Sequence, residues 1–129
     1  KTRANTDPLK HSTRFDTFTD SVLPHIQEPI LDENCILYAG AVDNNGYFPT
    51  HNKCFSQALT GNYGVDIVKN RTKRIFDDPT GSRCGNHEKN FLIQTYKRDT
   101  GEIVHDLSVP IYIKDKHWGG FRIGYKSTH

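Results

Sequence analysis

The order of sequence patterns predicts an α+β fold: a five-stranded antiparallel sheet with an N-terminal helix and short helices between strands two and three. Three observations carry it. Phe15, Phe18, Val22, Leu23, Ile26 and Ile30 recur at helical intervals near the N-terminus, with Arg14, Asp16, Asp20 and Glu28 opposite them. Cys35 to Asp43 has the character of a strand and runs into Asn44-Asn-Gly46, residues that tolerate the positive φ of a tight hairpin turn, with Tyr47 to Thr50 as the return strand. In the C-terminal third, Ile103, His105, Leu107, Val109, Ile111 and Ile113 alternate with Val104, Asp106, Ser108, Pro110 and Tyr112. Such alternation predicts a long strand whose buried face is apolar except for one imidazole. Lys114-Asp-Lys116 reverses the chain, and Phe121, Ile123 and Tyr125 form the inward row of the next strand, with Gly119, Gly120 and Gly124 leaving space beside the backbone.

The remaining elements follow in order. Residues 1–12 are polar, contain Pro8, and read as a linker or tail. Helix is expected from about Thr13, kinked or split where Pro24 and Pro29 remove backbone donors. From Phe55 to Phe76, the residues Val65, Ile67, Val68, Ile75 and Phe76 suggest short helices broken by Gly61 and Gly64, and Asp78-Pro-Thr-Gly81 reads as a turn. Glu88 to Arg98 is strand-like and Asp99-Thr-Gly101 a hairpin connection. Residues 13–126 then form the domain and 127–129 a short tail. PAS and Cache-type sensor modules use this element order, an analogy of fold only.

Composition narrows the class. A chain of 129 residues makes one domain with a single core. Its hydrophobic fraction of 34% is below the usual range and its charged fraction of 25% is ordinary, which suits a compact domain with polar loops or a polar pocket. Net charge is +2 with cations scattered among anions, so no continuous basic surface is offered to nucleic acid or anionic lipid. The longest apolar run, around Ile36 to Val42, is strand-sized, and no membrane insertion of this segment is expected. Cys35, Cys54 and Cys84 lack the spacing of a disulfide framework and point to a reducing compartment.

Candidate chemistry rests on few residues. His51-Asn-Lys-Cys54 and Cys84-Gly-Asn-His87 supply two imidazoles and two thiols, the composition of a tetrahedral zinc site without its usual C-x-x-C or H-x₃₋₅-H spacing. Covalent haem needs C-x-x-C-H, and Cys84 to His87 lacks the second thiol; noncovalent haem would fall to His87 or His105. Neither metal nor cofactor is expected. No G-x-S-x-G, Walker, H-E-x-x-H or dinucleotide motif is present, adjacent His105 and Asp106 face opposite sides of a strand, and Asp77-Asp78 precedes a proline, so catalysis is not expected. Arg71 and Arg74, three residues apart, would share one side of a helix and grip a carboxylate or phosphate, or else pair with Asp77 or Asp78. With Tyr47, His51, Gln94, Tyr96 and His105 they make the candidate ligand-binding set.

The segments Arg14–Asp20, Val22–Glu28, Val42–Asn52, Phe55–Gln57, Asn70–Asp78, Phe91–Tyr96, Asp106–Tyr112 and His117–Tyr125 resemble, in that order, a PAS-like sensory module of bacterial methyl-accepting chemotaxis proteins. The resemblance implies a sensory domain that binds a small molecule and biases receptor signalling, without catalysis. In relatives the module often follows the signalling helices at the receptor's C-terminal end. A cytoplasmic location follows from that, with a periplasmic one as the alternative. Expected partners are a small, anionic ligand, the rest of the receptor chain and a second copy in a homodimer. The competing readings are a dimerisation module that binds nothing and a metal, haem or redox sensor.

Overall fold

The computed structural model describes residues 2–3, 9–97 and 101–126. In chain order its elements are β1 (Thr2–Arg3), β2 (Lys10–His11), α1 (Asp16–Gln27), β3 (Ile36–Asp43), β4 (Tyr47–Phe48), α2 (Tyr63–Lys69), β5 (Arg74–Ile75), α3 (Pro79–Asn86), β6 (Leu92–Lys97), β7 (Ile103–Ile113) and β8 (Lys116–Lys126). The architecture is α+β. Its antiparallel sheet has four strands in the order β3-β8-β7-β6, and β1-β2 and β4-β5 form separate two-stranded pairs. The segment expected as a linker or tail thus contains a strand pair, and the Lys10 ammonium is buried against Asn70 and Thr72. The Asp99 and Thr100 part of the expected connection and the 127–129 tail lie outside the described residues.

The fifth strand is the first correction. The turn at Asn44-Asn-Gly46 forms, with Gly46 at φ +82° and its N–H on the Asp43 carbonyl at 3.0 Å. The Asp43 carboxylate takes the N–H groups of Asn45 and Tyr47, and the chain leaves β3 to pair with β5 instead. Side-chain amides occupy the vacated edge of β3. Asn52 accepts from Ala39 N (2.9 Å) and donates to Ala39 O (2.9 Å), and Gln27 accepts from Ala41 N (3.0 Å). Both carboxamides are fully buried, and they meet the need of buried backbone groups for partners without a strand.

The two long strands turn faces opposite to those expected, and the helix is rotated away from the expected face, with Phe15, Val22 and Leu23 half-buried. α1 starts at Asp16, where the carboxylate caps Thr13 N and Oγ1, and runs through Pro24 into a 3₁₀ turn over Glu28–Asp32. It buries Asp16, Thr19 and Gln27 and leaves Phe18 68% and Ile26 52% exposed. Each buried polar group has a partner: Asp16 accepts from Tyr47 Oη (2.8 Å), Thr19 Oγ1 donates to Asp16 O (3.0 Å), and Gln27 donates to Thr50 O (2.8 Å). In β7, Val104, Asp106 and Ser108 are fully buried while Ile103 is 50% and Val109 41% exposed, so the row with Asp106 faces inward and the row with His105 outward. Register carries the same phase into β8, where Phe121, Ile123 and Tyr125 share the outer face and Gly120, Arg122 and Gly124 the inner one.

Asp78-Pro79 opens a helix rather than a turn: Asp78 caps Gly81 N, and proline at the first helical position gives up a donor the helix would leave unpaired. α3 lies on the inner face close enough that a Cβ at Gly120 would stand 2.3 Å from the Cys84 carbonyl. The apolar core beneath it is small: Val42, Phe48 and Cys84, with Phe76 packed against them.

Candidate functional site

An open cleft of about 380 Å³ lies on the inner face of the sheet, between its strands and the segment from β4 to Asp78. Its floor is built on the sheet. Tyr38 of β3 donates to Asp106 Oδ2 at 2.6 Å, and its oxygen stands 2.8 Å from Tyr96 Oη. Since the one Tyr38 proton goes to Asp106, Tyr96 is the donor in the second contact. Arg122 Nε donates to the same Asp106 oxygen at 2.7 Å and its Nη2 reaches Tyr38 Oη at 3.4 Å. Gly124 makes room for this, because a Cβ there would stand 2.1 Å from the Tyr38 ring. Burial, with Asp106 beside it and Arg122 opposing, pushes the Tyr38 phenol well above its usual range, so it stays neutral. For Arg122 burial works against the charge, but the Asp106 carboxylate bonded to it opposes this, and the guanidinium stays charged. Asp106 Oδ1 is buried with no hydrogen-bond partner among the described residues.

One wall is aromatic. The His51 ring stacks on Phe48 at 3.9 Å and 11°, with Phe76 edge-on to Phe48 at 6.1 Å. His51 Nδ1 accepts from Asn52 N at 2.8 Å, so a neutral ring carries its proton on Nε2. The rim is cationic. α2 ends at Lys69 with Asn70 as its cap, and Lys73 at φ +60° turns the chain so that Arg71, just past the helix, and Arg74, in β5, both reach the cleft. Arg71 Nε donates to Val68 O (3.0 Å) and Arg74 Nη1 to Ile67 O (3.2 Å), using carbonyls that the helix end leaves without internal partners. Each guanidinium lies over a phenyl ring: Arg71 over Phe55 at 5.5 Å, Arg74 over Phe76 at 4.9 Å. Lys97 and Asp78 complete the lining. Three guanidiniums, Arg71, Arg74 and Arg122, thus share the cleft with the carboxylate of Asp78 and the buried carboxylate of Asp106, an arrangement that attracts anions.

No family model matches this chain. Comparisons with curated proteins and with solved structures find no match either. The site is therefore read from its own geometry.

Of the seven residues singled out in the sequence, His51, Arg71, Arg74 and Tyr96 line the cleft. Three do not. Tyr47 is buried with its hydroxyl on Asp16. Gln94 faces inward but ties β6 to α3, donating to Thr80 O at 3.0 Å. His105 is on the outer face, 2.8 Å from Thr95 Oγ1 and beside Tyr125, because the strand phase is the reverse of that expected. The arginine pair reaches its place through a turn and a strand rather than a shared helix face.

Tyr38, Phe48, Phe76, Asp78, Lys97 and Arg122 were missed. For Arg122 a signal existed: glycines two residues to either side share its face, which leaves room around a charged side chain turned inward.

The residues weighed for zinc or haem do not form a ligand set. His51 Nδ1 holds the Asn52 N–H, and His87 engages Ser108 Oγ through Nε2 (2.9 Å) and Lys89 N through Nδ1 (3.2 Å). Cys54 is exposed while Cys84 is buried, and burial pushes the Cys84 thiol up to about 12. Among the described residues no group of three or more His, Cys, Asp or Glu side chains is placed to hold a metal ion. No described helix is long and apolar enough to cross a membrane.

Proposed function

We propose that this chain is a PAS- or Cache-like sensory domain of a bacterial methyl-accepting chemotaxis receptor, on its cytoplasmic side, and that it binds a small organic anion in the inner cleft. The observation that carries the ligand class is Arg122, a buried and permanently charged guanidinium in the cleft floor, with Arg71 and Arg74 at the rim. A carboxylate is the natural partner of guanidiniums held in fixed orientations, and the aromatic wall of Phe48, His51 and Phe76 suits the carbon part of such a ligand. The receptor family rests on the ordered sequence segments quoted above.

Signalling in this reading is a shift in population between two arrangements of α1. The chain from Phe48 to Asn52 forms one wall of the cleft and also holds the helix: Thr50 O accepts from Gln27, and Thr50 Oγ1 donates to Asp20 at 2.6 Å. A ligand that presses on His51 moves Thr50, and with it both ends of α1. The domain needs no metal or haem for this.

Thermal-shift screening of organic acids tests the binding. At least one acid should raise the melting temperature of the wild-type protein, and Arg71→Ala with Arg74→Ala should abolish that rise. If no acid stabilises the wild type, or the double variant responds equally, the cleft is not an anion site.

A further inference from the structure

The edge of β3 that the chain leaves at Asn44 is held at two points. Asn52 spans Ala39, accepting from its N–H and donating to its carbonyl, and Gln27 accepts from Ala41 N. The two carboxamides share anchors on both sides. Toward the cleft, the His51 ring takes the Asn52 N–H on Nδ1 at 2.8 Å and Gln27 donates to Thr50 O at 2.8 Å, so both are tied to the stretch from Thr50 to Asn52. Toward the helix, Gln27 is the last residue of α1, Asn52 Nδ2 also donates to Glu28 Oε2 at 2.9 Å, and Glu28 Oε1 accepts from Lys53 N at 3.3 Å. Asn52 and Gln27 are fully buried, whereas Glu28, at the junction of α1 with the 3₁₀ turn, is not part of the cleft lining.

We propose that Asn52 is a positioning residue that couples the His51 wall of the cleft to the C-terminal end of α1, by way of the β3 edge it holds in place of a strand. All of its polar groups are committed. The two Nδ2 protons go to Ala39 O and Glu28 Oε2, Oδ1 serves Ala39 N, the N–H goes to His51, and the carbonyl accepts from Phe55 N at 2.9 Å. A turn of the His51 ring takes the acceptor away from a buried N–H, and because a buried donor left unpaired costs more than the bond contributes, the Asn52 backbone follows the ring. The carboxamide, bonded at both ends, then cannot keep Ala39 and Glu28 together. A paired strand would spread the same shift over a ladder of backbone bonds, whereas here it falls on one residue. The last step rests on the reading of the cleft as an anion site: an occupant that fixes the His51 ring favours the coupled arrangement, and the end of α1 registers it.

Residue-resolved amide hydrogen exchange of the full chain tests this, because the Ala39 N–H has the Asn52 carboxamide as its partner and reports directly on it. Glu28→Ala and His51→Phe cut the chain of bonds at opposite ends, the phenyl ring keeping the stack on Phe48 without an acceptor for Asn52. Each should speed exchange at Ala39 at least about fivefold while amides of the β7-β8 pair stay within about twofold of wild type. Glu28→Gln, which keeps an acceptor for Asn52, should restore slow exchange. Unchanged exchange at Ala39 in either cutting variant overturns the proposal, as does a failed rescue, or an acceleration shared equally by the β7-β8 amides, which marks a purely structural loss. Acetate, malate and benzoate serve as anion probes. A probe that slows Ala39 exchange in the wild type should bind Glu28→Ala at least about threefold more weakly, and equal affinity also overturns the coupling. If none of the three affects the wild type while the variants behave as expected, the anion reading of the cleft fails and the coupling of its wall to α1 stands.

Discussion

Replacing Asp106 by asparagine should weaken the fold and at the same time tighten anion binding. Asp106 is fully buried, its Oδ2 takes hydrogen bonds from Tyr38 and Arg122, and Arg122 is only 5% exposed. Removing one partner of a buried ion pair costs about 3–5 kcal/mol, since the other charge is left without compensation. An amide keeps an acceptor in place, so the loss should fall near or just below the low end, about 2–3 kcal/mol. A domain holding roughly 5–15 kcal/mol survives that. The cleft meanwhile loses its nearest negative charge. An anion bonded to the outer nitrogens of Arg122 would sit on the order of 8 Å from Asp106, where one unit charge at an effective dielectric of about 20 is worth about 2 kcal/mol, more than tenfold in affinity. Urea titration followed by Trp118 fluorescence, with and without a stabilising acid, reads both effects. Asp106→Ala combined with Arg122→Met should be more stable than Asp106→Ala alone, because no buried charge remains. Stability within about 0.5 kcal/mol of wild type in Asp106→Asn, or weaker anion binding, would refute the account of the floor.

The other predictions concern single groups. Gly124→Ala should displace the Tyr38 ring, lower stability by about 1–3 kcal/mol and reduce ligand-induced stabilisation, because the new Cβ would stand 2.1 Å from that ring; wild-type behaviour in both assays would show that the floor tolerates a shift. In the native protein Cys35 and Cys54 should react with a disulfide reagent while Cys84, buried with its thiol pushed up to about 12, should react only on unfolding; rapid titration of all three thiols would contradict the burial. Burial lowers the His87 pKa, with His117 and Lys89 adding to it. The unfolded chain therefore binds more protons than the fold between that lowered value and about 6.5. Stability should be full above about pH 6.5 and decline below it, and His87→Gln should remove this part of the decline; an unchanged profile in the variant would exclude His87 as its source.

Much of the architecture was legible from residue order. The N-terminal helix, the strand ending at Asp43, the short helices and the three closing strands all occur, and the reversal at Lys114-Asp115 forms with both residues at positive φ. What could not be read was which side of an amphipathic element faces inward. Alternation in β7 distinguishes two faces, but it does not say that the apolar one is buried. Here Asp106 and Ser108 are inside, where Arg122 and Tyr38 bond one Asp106 oxygen and His87 bonds Ser108. The strand pairing of Tyr47 and Phe48 was hidden for a similar reason: nothing local announces that Asn52 and Gln27, far apart in sequence, will take over the edge of β3. Within the site, Arg71, Arg74, His51 and Tyr96 could be found as polar groups beside aromatic residues. Arg122 was missed with the strand phase, although the glycines on its own face marked it.

The inversion of β7 and β8 and the rotation of α1 have one physical origin. The interior of this domain is organised by hydrogen bonds around a cleft, with Gln27, Asn52, Asp106 and Ser108 fully buried, while the apolar cluster proper is three residues and Phe76. Such an interior gains little net stability from each bond, and a missing partner costs more than a formed bond contributes. The row of Ile93, Ile103 and Val109 stays exposed on the opposite face and adds little apolar burial. An anion that binds only the folded chain would add stability in proportion to the logarithm of its concentration over Kd, so in the proposed reading fold and ligand are thermodynamically linked.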